Sequence, residues 1–341
     1  MRTVWLLLGL GLPAVGQAQT PRVEVVTREA DRRVDITVDG QPFTSYVWPT
    51  SLKKPTLYPI HSASGALVTR GWPLAARPGE RVDHPHQVGL WFDHGDVNGL
   101  DFWNNSDAIP AARRTKMGTI VHRAVRRAAG GPGEGTLEVS ADWVDSAGKA
   151  LLREDTRFVF RAAEGLRSID RITTLTAVGG PVTFVDNKEG LMGMRVARGL
   201  EQPSNTPEVF TDAAGHATTV PMLANDGVTG HYRSSEGLEG DAVWGTRGRW
   251  TMLTGDVDGA PVTLAILDHP NNVGFPTYWH ARGYGLFAAN PLGTKVFSNG
   301  NEELNFRLAE GQATTFRYRV LILSRTATPD QIETYYRDFT R

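Results

Sequence analysis

Cysteine is missing from the 341 residues of the chain, which excludes disulfide bonds, thiolate nucleophiles and cysteine-ligated zinc. This absence suits a bacterial periplasm, where a free thiol invites mispairing. An excess of charge is missing too, since 36 basic residues face 37 acidic ones. The balance gives no indication of a nucleic-acid or membrane-surface partner. Tryptophan, by contrast, is abundant: there are nine, and the handling of carbohydrates is one common reason for such a number.

Long apolar runs are scarce, and the one near the N-terminus is too short to span a membrane. Arg2 precedes the apolar residues 4–15, and residues 16–18 (Gly-Gln-Ala) form a small-x-small cleavage pattern. A membrane-spanning helix needs about 20 apolar residues. The pattern therefore predicts a signal peptide over residues 1–18 and a periplasmic or secreted mature protein that does not insert into the membrane.

The mature chain alternates apolar and polar residues with a period of two, which predicts β-strands. The predicted strands are residues 23–26, 33–38, 136–143, 155–161, 167–175, 262–267 and 315–323. One helix is predicted over residues 328–336, with Thr328 as N-cap and Pro329 in its first turn. Because no βαβ rhythm and no convincing linker are present, residues 19–341 are predicted to form one all-β domain. Its expected architecture is an antiparallel β-sandwich with a short C-terminal helix.

Residues 83–103 form the segment richest in side chains that can do chemistry. We predict that its histidines are catalytic, because imidazoles transfer protons near neutral pH; these are His84, His86 and His94. Further side chains are predicted to bind substrate, and these are Trp91, Asp96, Asn98, Asp101 and Trp103. The alternative is a structural loop in which the polar side chains satisfy backbone groups.

A metal site in this segment is a weaker prediction. His84 and His86 are two residues apart, so on a strand they would point to the same face and could ligate one divalent metal. The spacing fixes no third ligand, and Pro85 between them favours an edge strand or an extended loop. No cofactor is therefore required by the sequence, although a divalent metal is compatible with it.

Two further segments carry candidate site residues. In residues 184–195, Glu189 is the predicted general acid or base and Lys188 a substrate-binding neighbour that can tune its pKa. A solvated turn is the alternative there. In residues 268–291, His280 is predicted to be catalytic. Side chains of the same segment predicted to bind substrate are His269, Trp279 and Arg282, the last suited to a carboxylate or a pair of hydroxyls. A packed aromatic corner is the alternative. Residues 241–245 are interpreted as structural.

Several motifs together resemble an exported bacterial family of unknown function that is called PmoA-like. The matching stretches are TRGWP (69–73), HPHQVGLWF (84–92), HGDVNG (94–99), DFW (101–103), KEG (188–190) and PTYWHARGYGLFAANP (276–291). The resemblance implies a second histidine at position 87, where this chain has Gln87, and this argues against a metal site that needs that histidine. The family name suggests a methane-oxidising membrane subunit, but the chain has no transmembrane helix pattern. The resemblance implies a sandwich similar to the galactose-mutarotase-like supersandwich, and a carbohydrate ligand.

These observations lead to two functional hypotheses. The first is an exported enzyme that cleaves or rearranges a glycoside or modified sugar by histidine and carboxylate acid–base chemistry: a hydrolase, a lyase or an epimerase. Hydrolysis would pair Glu189 with Asp96 or Asp101, while metal-assisted hydrolysis ranks lower. The second is a non-catalytic periplasmic sugar-binding protein. Both predict a small carbohydrate as partner and no nucleic acid; the sugar, the bond and the oligomeric state stay open.

Overall fold

The computed structural model describes residues 20–341, and β-strands dominate it. The predicted signal peptide, residues 1–18, lies outside the described residues. The strands are β1 Arg22–Arg28, β2 Arg33–Val38, β3 Gln41–Val47, β4 Thr56–Ile60, β5 Leu90–His94, β6 Thr119–Ala129, β7 Gly131–Pro132, β8 Glu134–Val144, β9 Ala150–Ala163, β10 Leu166–Ala177, β11 Val182–Thr183, β12 Gly190–Arg195, β13 His231–Ser234, β14 Trp250–Val257, β15 Ala260–Asp268, β16 Tyr278–Arg282, β17 Leu286–Asn290, β18 Arg307–Leu308 and β19 Ala313–Leu323.

Helices are few and short. The two α-helices of the described part are α1, Thr294–Phe297, and α2, Pro329–Thr340. Single 3-10 turns occur at Glu29–Asp31, Ala111–Lys116, Arg198–Leu200 and Gly240–Val243. Within residues 20–341, no helix has the length and apolar character needed to cross a bilayer.

The strands of residues 20–341 form two large antiparallel sheets. One has nine strands in the order β16-β17-β12-β5-β4-β3-β2-β1-β7, and the other has eight in the order β13-β14-β15-β19-β10-β9-β8-β6. β11 and β18 pair as a small separate ribbon. This arrangement confirms the predicted all-β fold with a short C-terminal helix.

The main apolar core lies between the two sheets. Alternation along each strand sends every second side chain inward, as in β2, where Val34 and Ile36 are buried. Aromatic rings from both sheets meet there: Phe92 of β5 lies 5.8 Å from Phe316 of β19 and 6.4 Å from Trp143 of β8, between ring centroids. All seven predicted strands fall within observed strands, because the alternation that predicts them also fills this core.

Two turns beside strands of the nine-stranded sheet contain residues with positive φ angles. Asp39 and Gly40, with φ angles of 50° and 75°, form the hairpin turn that joins β2 to β3. The edge strand or extended loop predicted around Pro85 is not observed. His84 has a φ of 44°, and the backbone N–H of Gln87 donates to its carbonyl at 2.9 Å, so the segment forms a turn before β5.

The site is positioned by one end of the nine-stranded sheet. On β5, Leu90 and Phe92 point into the core, so the alternate residues Trp91 and Asp93 point to the opposite, outer face. On β16, Trp279 points into the core, and His280 and Arg282 point outward in the same way. The outer face of β5, β12, β17 and β16 therefore carries charged and aromatic groups, and loops cover it.

The C-terminal helix offers a test of its sequence-encoded start. Thr328 Oγ1 accepts from Gln331 N at 3.4 Å, and Gln331 Oε1 accepts from Thr328 N at 3.0 Å, which completes a capping box. We expect Thr328→Ala to lower the free energy of unfolding by about 1 kcal/mol, measured by urea denaturation. Thr334→Ala, at an exposed position inside the helix, is the control and should change it by less than half of that. Equal effects of the two variants would contradict the cap's role.

Candidate functional site

Two buried tryptophans form the floor of the outer face. The rings of Trp91 on β5 and Trp103 in the following loop meet edge to face, with centroids 5.2 Å apart. Gly193 on the neighbouring strand makes room for them, because a Cβ atom there would come within 2.6 Å of the Trp91 ring. Both tryptophans were predicted to bind substrate, but their side chains are fully buried, so neither can stack directly on a sugar. Within the described residues, neither indole N–H has a hydrogen-bond partner.

A buried ion pair lies beside this floor. The ammonium group of Lys54 pairs with the carboxylate of Asp93 and also donates to the carbonyl of Trp103 at 2.8 Å. Its nitrogen lies 5.6 and 5.9 Å from the ring centroids of Trp91 and Trp103. Burial raises the pKa of Asp93 to about 7 even with Lys54 beside it. Sequence reasoning missed Lys54, because its partner is 39 residues away in the chain.

The loop before β5 is held to the sheet by a shared carboxylate. Asp83 Oδ1 accepts from Arg195 Nη2 at 2.7 Å and pairs with the guanidinium of Arg70, while Asp83 Oδ2 lies 3.0 Å from Nδ1 of His84. Both arginines are fully buried. The ring of His84 stacks parallel to that of Tyr284, with centroids 5.2 Å apart. Asp83 therefore places His84 over the residue that leads into β17.

His86 lies one step deeper than His84. Its ring centroid is 5.7 Å from that of His84, and the side chain is buried. Burial, and after it the positive charge of Lys54, lowers the pKa of His86 to about 2. Its Nε2 atom is buried without a hydrogen-bond partner among the described residues. His86 is therefore a neutral imidazole, which can exchange a proton only with a group that reaches it.

Glu189 and His280 come together on the same face. Nδ1 of His280 lies 2.9 Å from the carbonyl of Lys188, and a carbonyl only accepts, so Nδ1 carries the proton and Nε2 keeps its lone pair. Glu189 Oε2 is 4.0 Å from the same Nδ1, and Glu189 Oε1 is 3.1 Å from Lys188 Nζ. Burial lowers the pKa of His280 to about 4. At neutral pH the imidazole is therefore uncharged and can accept a proton at Nε2.

A cleft of about 460 Å³ opens beside this pair. Its aromatic wall consists of Trp244, which is 39% exposed, and Tyr284. The guanidinium of Arg282 lies between them, 5.2 and 5.8 Å from the two ring centroids. Trp244 lies next to the acid–base pair, with its ring centroid 6.4 Å from that of His280, although His280 and Glu189 are not themselves lining residues of the cleft. Residues 241–245 were interpreted as structural, whereas Trp244 and Asp241 line this cleft.

The three predicted segments thus contribute to one site. Ring and ion contacts connect His84 to Tyr284, Tyr284 to Arg282, and His280 to Glu189. Lys188 joins them through its bridge to Glu189 and is 56% exposed, and His86 lies beneath His84.

The structure places three other predicted residues away from the site. His94 points into the core, where its Nε2 bonds to the carbonyl of Val185 at 2.8 Å. Trp279 is fully buried between the sheets and donates to the carbonyl of Gly248 at 3.1 Å, so it presents no face for a sugar. His269 packs against Phe339 of α2, on the eight-stranded sheet. Alternation along the strands determines these positions, because it sends His94 and Trp279 inward.

Three predicted polar residues instead stabilise turns after β5. Asp96 Oδ1 accepts from Gly99 N at 2.9 Å, Asn98 Nδ2 donates to the Pro181 carbonyl at 3.1 Å, and Asp101 Oδ1 accepts from Asn104 N at 2.9 Å. Short polar side chains commonly satisfy nearby backbone groups in this way. For these residues the structural-loop alternative describes the observed bonds.

Possible metal ligands do not form a cluster in the described part of the chain. Across residues 20–341, no group of three or more histidine or carboxylate side chains is arranged to hold a metal ion. His84 is engaged with Asp83, and Lys54 supplies a positive charge near His86. The two histidines are better described as part of the acid–base face than as the start of a metal site.

Residues 33–337 match the model of a family described as DUF6807, a family of unknown function. The chain belongs to this family. No curated protein matches it. The resemblance to the PmoA-like family stays a prediction.

Solved structures that align with the chain include alpha-galactosidases. The galactosidase domain of the alpha-galactosidase-sucrose kinase AgaSK aligns with 88% of the chain and 42% of its own, at 9% identity and a TM-score of 0.37. The GH36 alpha-galactosidase AgaB of Geobacillus stearothermophilus aligns with 88% of the chain and 41% of its own, at 7% identity and a TM-score of 0.36. Slr1438 of Synechocystis sp. PCC 6803 aligns with 91% of the chain and 99% of its own, at 8% identity and a TM-score of 0.31. The chain thus spans about two fifths of the galactosidases' length, and the likeness carries no information about its activity.

The buried pair of Lys54 and Asp93 yields a stability prediction. Lys54→Met removes the counter-charge of this buried carboxyl, so we expect about 3–5 kcal/mol less free energy of unfolding at pH 9, where Asp93 of the wild type is ionised. Replacing both residues, as Lys54→Met with Asp93→Leu, should restore most of it.

The loss should also depend on pH. Removing Lys54 raises the pKa of Asp93 in the folded state still further, whereas an unfolded aspartate titrates near 3.9. The single variant should therefore lose stability relative to wild type as the pH rises from 7 to 9, because its folded carboxyl stays protonated over a range where that of the wild type has ionised. A double-mutant cycle by urea denaturation at both pH values measures this. A loss that does not change with pH would contradict an uncompensated charge.

Proposed function

We propose that the protein is an exported enzyme that rearranges a sugar by proton transfer, through epimerisation or elimination. The observation that carries this proposal is the neutral imidazole of His280 beside Glu189, with the Trp244 ring of an aromatic cleft 6.4 Å from the His280 ring between centroids. A general base needs a lone pair within reach of the substrate, and a second group that can supply a proton. Nε2 of His280 and the carboxyl of Glu189 are of these two kinds.

The cleft supports a sugar as the molecule that reacts. Pyranose rings have one apolar face and a rim of hydroxyls, and they pack on aromatic side chains that have both apolar and polar edges. Trp244 and Tyr284 provide such faces, and Gln202, Asp241 and Arg282 provide hydrogen-bonding groups around them. A cleft of 460 Å³ is within the usual size range of sites for small molecules.

Hydrolysis by two carboxylates receives less support. Asp96 and Asp101, the predicted partners of Glu189, are both bound to backbone N–H groups of their own turns. Asp93, which lies on the same outer face, is fully buried and paired with Lys54. Glycosidases place two carboxyl groups on opposite sides of the scissile bond, and this geometry is not offered by these side chains. Chemistry by His280 and Glu189 avoids that requirement.

A non-catalytic sugar-binding protein is the second candidate. The ammonium of Lys188 lies 3.1 Å from Glu189 Oε1 and holds this carboxylate in an ion pair. A carboxylate engaged in this way can still accept hydrogen bonds from sugar hydroxyls. Turnover decides between the two candidates, because both predict binding.

Glu189→Gln and His280→Gln test the acid–base role. We expect each to lower turnover at least a hundredfold and to change the Kd for the substrate by less than about threefold, because each removes proton transfer but retains hydrogen bonding. His269→Gln is the matched control on the other sheet and should keep full activity. Proton NMR of a panel of neutral and acidic sugars and their glycosides detects epimers and unsaturated products. Binding without turnover anywhere in the panel would leave the binding protein as the answer.

Trp244 tests the aromatic cleft. Trp244→Ala should weaken sugar binding about tenfold, since it exposes to water a face worth on the order of 1–2 kcal/mol. Trp244→Phe retains a smaller ring and should lose less. Isothermal titration calorimetry gives both Kd values, and the melting temperature reports whether the variants fold. If Trp244→Ala binds as well as wild type, the sugar lies elsewhere.

A further inference from the structure

We infer that the sugar taken by this cleft carries a carboxylate, as a uronic acid does, and that Arg282 binds this group. The inference rests on the proposed function and adds the class of substrate. It depends on three features: the surroundings of Arg282, the balance of charge around the cleft, and the position of Arg282 on the same strand as His280.

Arg282 has a guanidinium without an anionic partner. Its side chain is exposed in the cleft, and among residues 20–341 no carboxylate forms a salt bridge or hydrogen bond with it. The rings of Trp244 and Tyr284 contact it instead. Aromatic contacts hold a guanidinium in place but leave its N–H donors for other partners. Those donors form a planar fork that matches a carboxylate in a bidentate bond.

The charges around the cleft leave one positive charge in excess. Five guanidinium groups line or back the cleft, and four carboxylates face them. The arginines are Arg70, Arg81, Arg195, Arg198 and Arg282, and the carboxylates are Asp83, Glu201, Glu208 and Asp241.

The excess lies behind the cleft, where Arg70 and Arg195 share Asp83 and the Arg195 guanidinium is 4.9 Å from the Tyr284 ring centroid. Arg81 and Arg198 share Glu201, and Arg81 Nη1 also lies 3.3 Å from Glu208 Oε1, so this group is balanced. Asp241 Oδ1 accepts from the neutral amide of Gln202 at 2.8 Å, so in the count its charge offsets that of Arg282. A ligand with a single negative charge would complete the balance.

The spacing of residues along β16 relates Arg282 to the acid–base pair. His280 and Arg282 are two residues apart on β16, so their side chains leave the same face, about 6.6 Å apart along the strand. This spacing suits a ligand whose carboxylate reaches Arg282 and whose adjacent carbon lies near His280 and Glu189. A carbon next to a carboxylate has a hydrogen that a base can remove, and a guanidinium stabilises the charge that develops on the oxygens.

The first step is then common to epimerisation and elimination. The C–H bond next to the carboxylate breaks, the proton goes to Nε2 of His280, and the electron pair moves into the carboxylate as an enediolate. Return of a proton from water to the opposite face of that carbon, either directly or relayed through Glu189, gives the epimer. If the electron pair instead forms a double bond to the neighbouring carbon, the oxygen substituent on that carbon leaves and takes a proton.

Paired sugars test the inference. Calorimetry at low ionic strength compares D-glucuronate with D-glucose and D-galacturonate with D-galactose. In at least one pair the uronate should bind the wild type at least about tenfold more tightly. Arg282→Gln should remove this preference, and Arg282→Lys, which keeps the charge but loses the fork, should retain part of it. Arg123→Gln, on the outer strand of the other sheet, is the control and should keep the full preference.

Several outcomes would overturn the inference. If neutral sugars bind as tightly as uronates, or if Arg282→Gln keeps the preference, the carboxylate site is wrong and the proposed function stands. If neither kind of sugar binds, the proposed function fails as well. If Arg282→Gln lowers the melting temperature, its loss of preference could come from unfolding. In that case Arg282→Lys and the salt dependence of the wild type decide whether Arg282 binds the carboxylate. Added salt must weaken uronate binding and leave the binding of neutral sugars unchanged.

Discussion

The site depends on the carboxylate of Asp83, which two buried arginines share. Arg195 belongs to β12 and Arg70 to the segment after β4, so the shared carboxylate ties three parts of the chain together. Arg70 also donates to the carbonyls of His84 and Gln87 at 3.1 Å each, which fixes the turn that contains the histidines. Loss of the carboxylate would leave two buried cations facing each other, at a cost of several kcal/mol. The position of His84 over Tyr284 follows from this cluster.

Much of the fold can be predicted from the sequence, because alternation along a strand encodes which face is buried. The predicted strands include the long β8, β9, β10 and β19 of the eight-stranded sheet, and the capping residues Thr328 and Gln331 mark the last helix. The turn at His84 could not be predicted in this way. Its left-handed backbone is maintained by Arg70 and Asp83, which act across the fold, and no local pattern encodes that contact.

The residue types of the site could be predicted better than the positions of the individual side chains. Glu189 and His280 belong to different segments and meet because β12 and β16 both pair with β17. Trp244 and Trp279 could not be told apart by residue type, and the sequence favoured the wrong one as the stacking surface. What separates them is location: Trp279 lies on a strand and points inward, whereas Trp244 follows a short 3-10 turn at the cleft. Only the tertiary arrangement shows this difference.

The central claim is that one cleft holds a sugar against Glu189 and His280. A crystal structure of the protein with a bound monosaccharide tests it most directly. The account predicts a ring packed against Trp244 and Tyr284, with one of its carbon or oxygen atoms within about 3–3.5 Å of His280 Nε2 or the Glu189 carboxylate. A sugar bound instead in the separate cleft of about 610 Å³ near Arg198 and Asp256, with this site left empty, would contradict it.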